Sequence, residues 1–425
     1  MHPASESSHI TRLAESIVAN TAIVNAYLCE QNLPLPRFDD INAAVRPCTA
    51  DDASAESARR AVVTASQELR DLLSGPSAPL MVDWTAHSCL RTIVHFRLAE
   101  AVSLVPANDI GTSFANIAAQ TSLSETHVTR ILRHAMTRHI FREPAPGFVA
   151  HTAASALLSR DSVTRDVVGL ITDEMWPAGL KVPEALARWP NSQEPEETGF
   201  SMANAQGSEE QKKSMWSVYE EDAERARRFG VCMSVENSAM PFPLEELEWQ
   251  GLVVDIGGGV GFNVFNLAEK HQNARFIVED LSKTVQQGRL LLPKQLKDRV
   301  DFVEHDFFSP QPVKDADIYF FRRIFHDWSD KHAVEIIRSL IPALKPGARV
   351  RVNELLVPKP GELPREIEKM ARNSDFAMLA LLNGKERNNE EWQALFRAAS
   401  DKFRFGFCKT TPPGLMAVIE FVWEP

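Results

Sequence analysis

Asp255-x-Gly257-Gly258-Gly259-x-Gly261 is the stretch of this chain whose residue types and spacing say most about chemistry. It ends an apolar run, residues 252–256, and precedes a helical pattern, so a buried strand would feed a glycine turn at a helix N-terminus. Glycines there let backbone N–H groups approach a ligand closely. Roughly 20 residues on, Glu279-Asp280 closes the next apolar run, where a strand-tip acid accepts hydrogen bonds from ribose hydroxyls. Dinucleotide sites favour G-x-G-x-x-G and accommodate a pyrophosphate. Asp255 would repel a diphosphate and welcome a cation. The spacing predicts a ribose-bearing ligand that carries an ammonium and no phosphate.

Three further clusters add reactive groups. Glu304-His305-Asp306-Phe307-Phe308 ends a third apolar run; an acid there accepts from an exocyclic amine, and the aromatic beside it stacks on a purine. Arg322-Arg323-Ile324-Phe325-His326-Asp327-Trp328 ends a fourth, which places His326 where a substrate meets a bound cofactor. Glu354 ends a fifth run, and Glu386 lies in the loop Gly384-Lys385-Glu386-Arg387. Either glutamate alone would read as solvated surface; together with His326 they make a possible constellation.

These clusters need elements to hold them. Apolar runs near 252–257, 275–280, 300–304, 316–321 and 349–355, separated by amphipathic helical patterns, predict an α/β, doubly wound parallel sheet. Two more runs, 403–409 and 417–423, joined by Pro412-Pro413-Gly414, predict a hairpin that adds an antiparallel C-terminal edge strand. The first part of the chain reads differently. Helical periodicity covers 9–30, then roughly 57–75 and 81–103, around a Pro/Asp/Ala/Ser-rich loop at 31–56. A helix-turn-helix follows across 113–133, with Ser124 as an N-cap, and residues 140–149 read as a small hairpin wing. A polar connector occupies 188–213.

A chain of 425 residues is long for one core, so two domains are expected: 1–185, mostly helical with a winged helix, and 186–425, the sheet domain. The net charge of −11 argues against nucleic acid and anionic membrane as partners, although a winged helix often reads DNA. Glu125 and Glu143 dilute the basic patch of Arg130, Arg133, Arg138 and Arg142. No apolar run reaches the length of a membrane span, and residues 1–10 lack the layout of a signal peptide. The scattered Cys29, Cys48, Cys89, Cys232 and Cys408 read as reduced thiols, hence a cytoplasmic location.

The D-x-G-x-G-x-G loop resembles the first motif of methyltransferases that use S-adenosylmethionine (SAM), a ligand with an ammonium, a sulfonium, a ribose and no phosphate. From about residue 100 onward the chain resembles the SAM-dependent O-methyltransferases of plant and fungal secondary metabolism, a winged-helix dimerisation domain followed by a class I (Rossmann-like) methyltransferase domain. The glycine loop, Glu279-Asp280, Asp306-Phe307, His326-Asp327-Trp328, Glu354 and the Gly384–Arg387 loop occur in that family's order. The resemblance implies His326 as general base with Glu354 and Glu386 flanking its imidazole, Asp280 at the ribose, Asp306 and Phe307 at the adenine, and Arg322 near the cofactor. It implies no metal, a homodimer formed through the N-terminal domain, and S-adenosylhomocysteine as the spent cofactor. Pocket candidates are Phe200, Met202, Trp216, Phe229, Met233, Met378 and Asn383, whose apolar bulk suits a hydroxyl on a small aromatic or polyketide-like acceptor. Three features depart from the plant pattern: the long first 60 residues, which look fungal, a shorter loop before Glu386, and Arg323 at a position often apolar or aromatic. The competing reading is a SAM-binding pericyclase or dehydratase that keeps the fold without methyl transfer; Arg322-Arg323 suits it, and the His326, Glu354 and Glu386 set argues against it.

Overall fold

The computed structural model describes residues 8–43, 52–105, 110–205, 212–239, 243–410 and 415–425, with backbone alone over 235–239. Cys48, residues 1–7 and the Pro412-Pro413-Gly414 turn lie outside the described residues. The chain forms two compact units, residues 1–173 and 174–425. Helix Trp176–Arg188, which spans position 185, belongs to the second.

In the first unit, helices His9–Glu30 and Ala53–Ser74 pack on each other. The helix expected across 81–103 is shorter, Trp84–His95. Arg97 takes a left-handed φ of 54°, and the Leu98 N–H returns to the Ile93 carbonyl at 2.9 Å. Ile93 and Leu98, both fully buried, lock this Schellman end, so local cap geometry overrides the apolar periodicity beyond it. The helix-turn-helix consists of Phe114–Ala119 and Glu125–Met136, with Ser124 accepting from the His127 N–H. Strands β1 (Thr112–Ser113), β2 (Arg142–Ala145) and β3 (Phe148–Ala150) form the wing in the order β1-β3-β2. Arg133 forks onto Glu143 at 2.8 Å and Arg138 pairs with Asp83 at 2.7 Å, so two arginines of the basic patch are engaged within their own unit.

The second unit is built on seven strands: β4 (Gly251–Ile256), β5 (Ala274–Asp280), β6 (Val300–Glu304), β7 (Ile318–Arg322), β8 (Arg349–Leu355), β9 (Phe403–Thr410) and β10 (Met416–Trp423). Their order is β6-β5-β4-β7-β8-β10-β9. β4 to β8 run parallel, while β10 inserts antiparallel between β8 and β9. β10 is buried almost throughout and is apolar apart from Glu420, which accepts from buried Arg351 at 2.7 Å, as befits an interior strand. Helices cover both faces, Phe262–Lys270 and Ser282–Leu291 among them on one, Asp330–Leu340 and Asn389–Ala399 on the other. The chain winds outward from β4 through β5 to β6, and in the other direction through β7 to β8. The β4/β7 junction is therefore the switch point, and the carboxyl ends of these strands are where ligands bind in such sheets. Among the described residues no helix is long and apolar enough to cross a membrane.

Candidate active site

β4 delivers the glycine turn. Gly257, Gly259 and Gly261 have φ of 69°, 61° and 88°, a region that L side chains rarely adopt. Gly261 ends the turn and caps helix Phe262–Lys270. A Cβ at 257 would lie 2.5 Å from Ile324, and one at 258 would lie 2.5 Å from an Asp255 oxygen, whereas position 259 opens onto free space. The loop is thus packed tightly below and open at its crest. Asp255 is buried beneath it, and neither carboxylate oxygen has a hydrogen-bond partner among the described residues. Burial pushes this carboxyl up to about 7, with Arg322 pulling the other way.

β5 brings up Glu279 and Asp280, and strand alternation separates them. Asp280 reaches the glycine turn, accepting from the Gly259 N–H at 2.9 Å and from the Leu281 N–H at 2.8 Å. Glu279 is fully buried and takes Gln311 at 2.9 Å, so its side chain serves the interior. Past β6, Asp306 closes a small turn by accepting from the Phe308 N–H at 3.0 Å. Phe307 lies beside Gly257 and packs edge-on to Trp328. At the end of β7, Arg322 donates to Asn353 at 2.5 Å and adds a positive charge near Asp255.

His326 sits in a tight turn, Phe325–Asp327, directly after β7. Its Nδ1 is 3.1 Å from Glu386 Oε1, and its Nε2 is 3.4 Å from Asp327 Oδ1. Glu354, on neighbouring β8, accepts from the Ile324 and Phe325 N–H groups, both at 2.8 Å, and so pins the turn carrying the imidazole. Glu386 accepts from Ser374 Oγ at 2.7 Å through the oxygen that faces His326. His326, Glu354 and Glu386 are all buried, and their donor atoms gather within 4.8 Å. Burial and Arg323 oppose a charged imidazole, but Asp327, Glu354 and Glu386 outweigh them and raise it to about 9. Burial opposes ionisation of Glu386 as well, yet His326, Arg323 and Ser374 hold it below the usual carboxylate range. Glu354, which lacks so direct a partner, is raised by burial.

The loop that presents Glu386 is fixed from several sides. A Cβ on Gly384 would come within 2.2 Å of the His326 carbonyl, which the Lys385 N–H meets at 2.9 Å. Arg387, fully buried, donates to the carbonyls of Phe325 and Trp328, both at 2.9 Å, and pairs with Asp330. Asp327 and Arg387 entered the sequence reading only as members of motifs, with no role of their own, and Ser374 was not singled out at all. Ser374 and Asp375 stand out only as polar residues in a helix, Arg365–Leu382, otherwise rich in Met and Leu toward its end.

The apolar candidates divide. Phe200, Trp216, Phe229 and Met378 come together in one cluster with Tyr219. Phe200 is completely buried and reads as core, whereas Trp216, Phe229 and Met378 keep part of their surface. Met202 and Met233 are partly buried and stand outside that cluster. Asn383 caps helix Arg365–Leu382 at φ 52° and spends its amide on the carbonyls of Glu194 and Glu197, so it is a structural tie.

A doubly wound sheet with a glycine turn, a strand-end acid that reaches this turn and a buried His–Glu pair at its switch point defines a class I, nucleoside-binding enzyme. Residues 198–402 match the O-methyltransferase domain and residues 80–161 the O-methyltransferase dimerisation domain. The chain is 34% identical over 430 residues to O-methyltransferase kk1A of Curvularia clavata, covering 98% of each protein. It is 35% identical over 436 residues to the chlorophenol O-methyltransferase of Trichoderma longibrachiatum, covering 99% of this chain and 91% of that one. A solved pericyclic reaction enzyme shares the fold at a TM-score of 0.70 and 21% identity, over 97% of this chain and 100% of that one. The chain belongs to the O-methyltransferase family, and it is a SAM-dependent O-methyltransferase. The orphaned Asp255 oxygens and the open crest at Gly259 fit a cationic nucleoside such as SAM.

Proposed function

We propose that this enzyme methylates a hydroxyl on a small aromatic or polyketide-like acceptor, with His326 as the general base. The observation that carries the reading is the 3.1 Å contact between His326 Nδ1 and Glu386 Oε1 at the carboxyl end of β7. The name of the chlorophenol O-methyltransferase supports a phenolic acceptor. Asp255, the turn from Gly257 through Gly258 and Gly259 to Gly261, Asp280, Asp306, Phe307 and Arg322 are the residues proposed to hold SAM; Glu279 would act by shaping β5 from inside. Bound there, SAM supplies an electrophilic methyl on a positively charged sulfur.

The protein's own part is to position the acceptor oxygen and remove its proton. A phenol titrates near 10 and attacks poorly while protonated. His326 takes that proton on Nε2, while Glu386 holds Nδ1–H, fixes the tautomer and stabilises the imidazolium, as the acid of a catalytic triad does. Glu354 keeps the turn in place through two backbone N–H groups. General-base help of this kind is worth about 10² to 10⁴ in rate. Trp216, Phe229, Met378, Met202 and Met233 are proposed to contribute to the acceptor wall, and no metal takes part. His326→Ala should therefore retain SAM binding, read by calorimetry, and lose at least about 99% of turnover. Turnover near the parent's would remove His326 from the role.

The second reading, a pericyclase or dehydratase, draws on two observations: the Arg322-Arg323 pair and the shared fold of a pericyclic reaction enzyme. The His326–Glu386 pair weighs against it, because a cyclisation steered by a fixed charge has no need of a tethered base.

A further inference from the structure

Arg323 has no part in the steps above, yet its placement is costly. It adopts φ 55°, left-handed backbone that is unfavourable for a non-glycine residue by roughly 1–2 kcal/mol. Its N–H is held by the Asn353 carbonyl at 3.1 Å, and its side chain is 12% exposed. Burying a guanidinium requires a partner nearby. Arg323 Nη1 lies 3.7 Å from Glu386 Oε1, the same oxygen that meets His326 Nδ1 and Ser374 Oγ.

The surroundings of His326 suggest what this arrangement achieves. Asp327 faces the imidazole from its own turn, Glu354 from β8 and Glu386 from the loop after helix Arg365–Leu382. The remaining charges nearby have other engagements. Asp375 accepts from the Glu386 N–H, Arg387 and Lys385 pair with Asp330, and Arg322 turns to Asn353. Three carboxylates around one imidazole would hold a proton on it, and an imidazolium cannot accept another from a phenol. Arg323 is a basic group that acts against those acids at His326.

Resting on the reading of His326 as the base, we propose that Arg323 is a positioning residue for methyl transfer: by sharing the Glu386 oxygen that holds His326, it keeps the imidazole able to release its proton. Burial works in the same direction, and the three acids work against both.

The test compares the parent enzyme with Arg323→Leu, Arg323→Gln and Arg323→Lys in two readouts. In the first, kcat is measured against pH. Removing the charge should move the acidic limb upward by about one unit or more, lowering turnover at pH 7 roughly tenfold, with KM for SAM unchanged. Arg323→Lys should keep the limb near the parent's position. In the second, the His326 imidazole is titrated by NMR on isotope-labelled enzyme, assigned with His326→Ala. This reports proton affinity whether or not His326 is the base. An imidazole that titrates higher in Arg323→Leu, with kcat following it, supports the proposal. An imidazole that moves while the kcat limb stays still counts against His326 as base and leaves the effect of Arg323 on it intact. An unmoved imidazole in a folded, SAM-binding Arg323→Leu or Arg323→Gln overturns the inference. Should the leucine variant not fold, the glutamine variant, which removes charge but keeps polarity, decides the matter.

Discussion

His326 owes its chemistry to groups that lie far from it in sequence. An isolated imidazole titrates near 6.5, but three acids raise this one to about 9 against burial and Arg323. The sign of the pH dependence follows directly. Only neutral imidazole accepts the acceptor's proton, so turnover should climb with pH toward about 9 and fall about tenfold per unit below it. A kcat–pH profile with its acidic limb near 6.5 would contradict this. Stability moves in the opposite sense. Because the folded value lies above the unfolded one, this group's contribution is fully present below pH 6.5 and is lost as pH rises through about 9. Some of this was legible at the residue scale. Asp255, the glycines and His326 announce themselves because their spacing is local. Glu279 and Asp280 were expected together at the ligand, but period-two alternation sends Glu279 inward to Gln311 and only Asp280 to the glycine turn. The actual work of Glu354, pinning two N–H groups, was not readable, since it depends on the register of β7 against β8.

Elements set the geometry that those residues need. The five parallel strands and the terminal hairpin fall within a residue or two of where apolar runs placed them; β7, for one, is buried on both faces and apolar up to its last residue. The helix expected across 81–103 stops at His95, since an Arg97 left-handed cap and its Ile93–Leu98 contact end it. Asn383 and Phe200 were expected in a pocket; one ties a loop and the other fills the core, and sequence alone cannot distinguish an apolar pocket from an apolar core. The Gly384–Arg387 loop makes a sharp test of element-level positioning. Gly384→Ala would force a methyl to within 2.2 Å of the His326 carbonyl. The backbone must then shift, at about 1–3 kcal/mol. The Glu386–His326 contact should loosen, with a lower melting temperature and a reduced kcat at an unchanged KM for SAM. A variant equal to the parent in both would show that the loop is not held this way.

At the scale of the whole molecule, two units of different character share one chain. The first unit, matched by the dimerisation domain over residues 80–161, exposes a run of apolar side chains: Leu80 at 78%, Met81 at 77%, Val82 at 67% and Trp84 at 65%. Such a patch in water marks a surface that is covered in the assembled protein. A homodimer through this unit is accordingly proposed. Light scattering should give twice the chain mass, and Met81→Asp with Val82→Asp should shift it toward one chain; a parent protein that runs as a monomer would contradict the proposal. Methyl transfer and proton removal by His326 are tested together by supplying methyl-labelled SAM and a panel of chlorinated and polyketide phenols, with EDTA present, to the parent enzyme and to His326→Ala side by side. The expected result is an acceptor that gains one labelled methyl with the parent and at least about a hundredfold more slowly with the variant, which still binds SAM. SAM bound but never consumed, with the acceptor isomerised or dehydrated instead, or a variant as fast as the parent, would contradict it.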